Sequence, residues 1–283
     1  MDETRVIPAT AAPATSGFTW PKLDVGGVRI ITILALVAIW EGMARSGLLY
    51  KDVVPTIEKV IVAVYNELLM GAFYYHLWIT FAEVAVGFVV GCFIGLALGI
   101  VLGVNPFLRR ALEPYLNAIG STPKIIFLPI IFLMFGVGME SKMAKGAFSG
   151  FFPMVFSTTL GMLLINPVLL RVGKSFQLNQ WQTITKIYLP AMVNPVIVGL
   201  RLGLGVTIIG ILIAEIKFSD GGVGFRLIQY YDQFKIAPMY AMLILIFALA
   251  AAGNFGMTKL QDRFNWHIST TGKKSSSHGN LGT

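Results

Sequence analysis

The sequence predicts an all-α, polytopic membrane protein with about six transmembrane helices. Three observations lead there. Apolar residues fill 55% of 283 positions and charged residues only 13%, whereas a soluble domain is roughly a quarter charged. Mean hydropathy is +0.74. The apolar residues also gather into six runs, most of them near the ~20 residues that a helix needs to cross hydrocarbon.

The N-terminal stretch Met1 to Thr19 is rich in Ala, Thr and Pro, with Asp2 and Glu3, and reads as a solvated tail. It lacks the basic start and immediate apolar core of a secretory signal, so no cleavage is expected and the first span serves as an anchor. The expected organisation is a cytoplasmic tail over 1–27, a membrane domain over 28–266 and a polar cytoplasmic tail over 267–283. The first span, Ile30 to Leu48, carries Glu41 and Arg45 near its outer end. In the second, Ile79 to Val104, Gly87, Gly91, Gly95, Gly99 and Gly103 recur at every fourth residue. Such a row opens a groove along one helix face and lets another backbone come close, within the subunit or between subunits, for sliding or for static packing. The third span, Ile125 to Val137, reaches full length only if Tyr115 to Pro123 is included. The fourth is Gly146 to Ile165. The fifth, Ala191 to Ile216, is again glycine-rich, at Gly199, Gly203, Gly205 and Gly210, and the sixth is Met239 to Met257.

Between the fourth and fifth spans the apolar pattern gives way to the basic stretch Asn166 to Pro190. At helical spacing, Leu169, Val172 and Phe176 share one face, and Trp181, Ile184 and Tyr188 another, with a bend expected at Leu178-Asn179-Gln180. Two short amphipathic helices are implied. With Arg171, Lys174 and Lys186 and no acidic residue, the stretch belongs on the cytoplasmic side. Its apolar face suits a groove on a partner protein or the lipid surface.

Orientation follows from the basic residues. Placing both termini inside puts Arg5, Lys22, Arg29, Arg109, Arg110, Arg171, Lys174, Lys186, Lys259, Arg263, Lys273 and Lys274 in the cytoplasm. It leaves Lys51, Lys59, Lys142, Lys145, Lys217, Arg226 and Lys235 outside, twelve against seven. The net charge of +8 is therefore a topology signal; no soluble basic face interleaved with aromatics invites nucleic acid. Enzymatic chemistry finds no footing. His76, His267 and His278 are far apart, and the single Cys92 lies inside a span, so neither a metal site nor a disulfide is expected. Glu41, Glu83 and Glu215 lie toward span ends, where hydration or snorkelling would spare them the cost of the bilayer centre, and no proton relay is read from the spans. Gly272-Lys273-Lys274-Ser275 lacks the earlier glycine of a phosphate loop, position 267 being His267.

Gly173 through Pro190 resembles the cytoplasmic loop of binding-protein-dependent ABC transporter permeases: Glu-Ala-Ala, three residues, Gly, nine residues, Ile, one residue, Leu-Pro. Aligned on Ile187, Leu189 and Pro190, Arg171, Val172 and Gly173 stand where Glu-Ala-Ala is expected and Gln177 where the glycine is expected. Further matches lie at Trp40-Glu41, Pro123-Lys124, Leu128-Pro129, Phe135-Gly136-Val137-Gly138, Ser141-Lys142, Phe152-Pro153, Trp181, Gly199-Leu200-Arg201-Leu202, Ala214-Glu215 and Gly222-Val223-Gly224. Over residues 36 to 266 the chain is similar to the subfamily of nitrate, alkanesulfonate, taurine, bicarbonate and thiamine-precursor importers.

That resemblance implies a type I ABC importer permease fold in a bacterial cytoplasmic (inner) membrane. It implies two permease subunits, most simply a homodimer, two separate ATPase subunits carrying ATP and Mg, and a solute-binding protein that delivers a small organic or inorganic anion. No cofactor is expected in this chain. Arg171, Val172, Gly173, Phe176, Gln177, Leu178, Trp181, Leu189 and Pro190 become the expected ATPase dock, with Phe176 as apolar anchor and Pro190 in the first turn of the next helix. The solute path is expected along the third and fifth spans, where Ser121, Thr122, Pro123 and Pro129 interrupt a helix and free backbone groups, with Glu215 nearby. An ATP-independent carrier or channel is the alternative.

Overall fold

A computed structural model describes residues 25–47 and 53–272, with the side chains of 260 and 263–272 left aside. The expectations for residues 1–24, Lys51, His278 and the end of the C-terminal tail lie outside the described residues, as do those for the His267 and Arg263 side chains. The chain divides into two units, 1–56 and 57–283. The first contains helix α1 (Val25–Arg45), in which Arg45 Nε donates to Glu41 Oε1 at 2.5 Å and the Trp40 indole donates to the Pro55 carbonyl at 3.0 Å.

The second unit begins with α2 (Ile57–Leu69) and α3 (Gly71–Val104). Asn105 ends α3 and starts α4 (Pro106–Ser121): its side chain accepts from the amides of Phe107 and Leu108, and Pro106 occupies the first turn, where no intrahelical N–H is needed. Thr122 then turns extended (φ −68°, ψ 138°) ahead of Pro123, because a proline pushes the preceding residue out of the helical region. A 3₁₀ turn (Lys124–Phe127) leads into α5 (Leu128–Phe135). The predicted third span is thus two pieces meeting at 95°. Pro129 does not break anything: it sits in the first turn of α5. Gly136, at φ +76°, closes that helix.

Helix α6 (Met139–Leu163) is the centre of the unit, packed between α3 and α10 (Val193–Lys217). The glycine row of α3 explains the first contact. A Cβ on Gly91 would fall 2.9 Å from Ala147 Cα, on Gly95 2.7 Å from the Phe151 carbonyl, and on Gly99 2.6 Å from Thr158 Cβ. The row therefore seats α6 within the subunit. On the other side, a Cβ on Gly210 would meet Ser149 Oγ at 2.5 Å and one on Gly199 Ser157 Cβ at 3.0 Å, whereas Gly205 has open space. Cys92 is buried beside Gly203, a small packing residue. The unit ends with α11 (Val223–Asp232) and α12 (Ile236–Gly272), the latter running on as helix through positions 267–272 assigned to the tail.

Candidate coupling surface and solute path

The loop between α6 and α10 folds as two short helices, α7 (Pro167–Ser175) and α8 (Gln180–Thr183), then a π turn (Ile184–Tyr188) and α9 (Leu189–Ala191). Asn166 caps α7 by accepting from the Val168 amide at 2.9 Å. The bend lies at 176–179, slightly earlier than expected, and its geometry is specific. Gln177 takes φ +52°, its amide donates to the Lys174 carbonyl, and the Leu178 amide reaches back to the Gly173 carbonyl at 3.1 Å. This is the paired closure that normally places glycine at the left-handed position. Gln177 stands where the permease pattern has its glycine, and the conformation gives the reason for that glycine. Asn179 then opens α8 through a reciprocal cap: it accepts from the Gln182 amide at 2.7 Å while Gln182 Oε1 accepts from the Asn179 amide at 3.1 Å.

Inward-facing residues tie the pair to the bundle. Gly173 is buried, and a Cβ there would lie 2.6 Å from Ile187 Cδ1. Ile187 and Tyr188 pack on the buried cluster Met162, Ile165 and Met192. Outward, Val168, Leu169 and Val172 are exposed beside Phe176, which is 76% exposed, and Trp181, at 72%. Trp181 and Tyr188 therefore do not share a face, contrary to the 3.6-residue reading. The π turn between them adds to the residues per turn and shifts the phase, as it widens ahead of Pro190, which brings no N–H to continue the ladder. Arg171 is exposed and Leu189 and Pro190 lie at the surface where the chain re-enters the bundle.

At the broken span, Ser121 and Thr122 hydroxyls both donate back to the Ala118 carbonyl. Lys124 Nζ donates to the Gly120 carbonyl at 2.7 Å and lies 5.1 Å from the centre of the Phe152 ring. A cleft of about 200 Å³ runs between α4, α3 and α6, lined by Arg109, Glu113, Asn117, Phe156 and Thr159 among others.

The opposite end of the bundle corrects the reading of the charged residues. Glu83 and Glu215 are neither hydrated nor snorkelling: both are fully buried. Lys142, Lys145 and Arg226, counted as outside loop charges, are buried too. Lys142 Nζ stands 3.1 Å from Glu83 Oε1 and donates to Ser219 Oγ at 2.6 Å. Thr80 donates to Glu215 Oε1 at 2.5 Å and accepts from the Val223 amide. Glu215 Oε2 accepts from the Gly224 amide at 2.7 Å, and the Gly222 amide donates to His76 Nδ1. Gly222 holds φ +101°, and a Cβ on Gly224 would lie 2.9 Å from that of Glu215. Glu215, assigned to the path, thus serves with Gly222 and Gly224 to pin the start of α11. Next to it Glu67 takes Arg226 and the Tyr230 hydroxyl, the latter at 2.8 Å. Burial and that carboxylate push the Tyr230 phenol up to about 12, so it remains a donor. Sequence reasoning missed this network because its members are scattered from 67 to 230.

Comparison with known proteins gives a consistent result. The chain is 29% identical over 262 residues to the putative aliphatic sulfonates transport permease protein SsuC of Bacillus subtilis, covering 92% of each. It is 25% identical to the taurine transport system permease protein TauC of Escherichia coli, over 88% of this chain and 92% of that one. With the nitrate import permease protein NrtB of Synechococcus elongatus the identity is 23%, over 82% and 86%. Among solved structures, an inward-facing form of the MetNI methionine ABC transporter matches with TM-score 0.63 at 21% identity, over 70% of this chain and 98% of that one; the fold is that of a type I ABC importer permease. The family model described as binding-protein-dependent transport system inner membrane component matches residues 91–266, and the chain, a multi-pass ABC permease subunit, belongs to that family.

Proposed function

We propose that this chain forms the membrane pathway of an ATP-driven importer for a small anion such as a sulfonate, nitrate or carboxylate. A solute-binding protein delivers the anion, and separate ATPase subunits, which bind ATP and Mg, drive its passage across a bacterial inner membrane. Two copies of the chain form the pathway. The observation that carries the reading is the outward apolar ridge of Val172, Phe176 and Trp181 on a basic helix pair between two spans. A ridge of this kind fits a groove on a partner subunit. ATP binding closes the ATPase pair, draws the two docked ridges together and tilts the spans toward the outward-facing state. The loaded binding protein favours the same state, so the two couplings are reciprocal. The anion preference rests on the sulfonate, taurine and nitrate permeases to which the chain is similar.

The test is Phe176→Ala. Loss of an apolar anchor of about 2 kcal/mol or more weakens ATPase binding roughly 30-fold, so the ATPase should be lost on purification while membrane insertion is kept. Unchanged retention with unchanged uptake would remove Phe176 from the dock. A second reading, an ATP-independent carrier, draws on the carboxylates of Glu83 and Glu215 buried inside the bundle; transport without an ATPase would select it.

A further inference from the structure

We propose that the cleft between α3, α10 and α12 holds one acyl chain of an anionic phospholipid, with Arg201 taking the phosphate at its mouth. The inference goes beyond the importer reading and does not depend on it. The cleft has a volume of about 370 Å³. Leu204, Ile208 and Leu212 line it from α10, Phe81 from α3, and Leu249 and Gly253 from α12. It opens on the surface of the bundle, where Phe81 is 60% and Leu249 40% exposed. The polar side chain in the lining, Thr80, is already engaged: its hydroxyl donates to Glu215 and accepts from the Val223 amide. The slot is therefore a site for hydrocarbon.

Its end is charged. Arg201 precedes Leu204 by one helical turn on the same face of α10. Its Nε donates to Asn254 Oδ1 at 3.0 Å and its Nη1 to Gln261 Oε1 at 3.5 Å, so the guanidinium bridges α10 to α12. Asn254 directly follows the lining residue Gly253, where a Cβ would stand 3.7 Å from Leu204 Cδ2; these contacts place the charge at the mouth of the slot. Among the described residues, no carboxylate lies within 4 Å of it. Two neutral oxygens accept from a group with five N–H donors and leave the charge without a counter-ion. A planar fork of this kind matches a phosphate. Arg201 to Leu212 is ~16 Å along α10 at 1.5 Å per residue, half of the ~30 Å hydrocarbon core. That is the depth of one leaflet, so the head and the tail of a phospholipid fit the two ends together. On the expected orientation the mouth faces the cytoplasmic leaflet, which carries the anionic lipids.

The experiment reconstitutes the full chain in phosphatidylcholine vesicles with a minor fraction of a photoreactive probe, either phosphatidylglycerol or phosphatidylcholine with a diazirine in its acyl chain, and maps the cross-links. The phosphatidylglycerol probe should label 204–212 and 246–253 roughly fivefold more than the phosphatidylcholine probe, the effect of one basic residue at an anionic headgroup. Arg201→Gln should bring the two probes level, whereas Arg201→Lys, which keeps the charge, should retain the preference. Gly253→Leu, which fills the slot, should cut labelling by both probes while cross-links elsewhere persist. A Cβ at that position meets its neighbours at ordinary contact distance, so this variant tests the slot even if Arg201→Gln does not fold. Equal labelling by the two probes in the wild type, or an unchanged preference in Arg201→Gln, would overturn the proposal. So would an absence of labelling in both stretches, the result expected if α1 or a second copy of the chain fills the cleft.

Discussion

Gln177 carries more information than any other single position in the cytoplasmic loop. A left-handed backbone costs an L-residue roughly 1–2 kcal/mol, and the closing bonds from 177 and 178 hold Gln177 there. Gln177→Gly should therefore slow amide exchange across 173–178, and Gln177→Val, whose branched Cβ suits φ > 0 least, should speed it; the reverse order would mean that the bend is not built on this conformation. The departure from the family's glycine was visible in the sequence, but its meaning was not, because a φ angle is not legible from one residue type. The same limit governs the lysines. Lys142 and Lys145 read as surface charges next to a span, and only their burial, with Glu83 of α3 beside Lys142, reveals that they are inside. In contrast, the exposed face that Phe176 shares with Leu169 and Val172 could be picked out from helical spacing alone.

At the scale of elements, the glycine row of α3 was legible because a four-residue repeat repeats the same face. Which helix it met was not, since α6 lies some sixty residues away. The packing makes a graded expectation. Gly91→Val should destroy the α3–α6 contact and yield aggregated protein in detergent size-exclusion chromatography, because the new side chain meets Ala147 backbone. Gly205→Ala, in open space, should elute as the wild type does. Failure of that contrast would place the row against something other than α6. The outer network invites a second comparison. Lys142→Met alone leaves Glu83 buried without its cation, a loss of about 3–5 kcal/mol, whereas Lys142→Met with Glu83→Leu should recover most of it. Heat stability of the paired variants decides this, and equal loss in single and double variants would mean that the pair is not coupled. Among the described residues, five helices long and apolar enough to cross a membrane lie where the apolar runs do, and the third run is instead a bent pair split at Thr122-Pro123, because a proline acts on its predecessor's backbone and leaves hydropathy untouched.

For the whole molecule, both ends are expected in the cytoplasm. Cys92 is the sole cysteine and is buried, so single-cysteine probes read cleanly: Asp220→Cys should react from outside and Lys174→Cys only from inside. Ser141, although near the outer loop, is buried and would be a silent probe. Labelling of position 174 from outside would undo the coupling argument. Vesicles that hold the chain alone should concentrate no solute, while addition of its ATPase, ATP and the loaded binding protein should give uptake; uptake driven by a proton or sodium gradient alone would promote the carrier. The outer network also has a mechanical consequence. At one end Thr80 on α3 donates to Glu215 on α10, Glu83 on α3 pairs with Lys142 on α6, and His76 and Lys142 hold the segment that follows α10; glycine seams join the same three helices along their length. Helices packed this closely transmit strain and resist sliding past one another. On the proposed coupling, a stroke applied to the Phe176 ridge is carried to the far end by three helices moving as one body, and not absorbed by sliding between them.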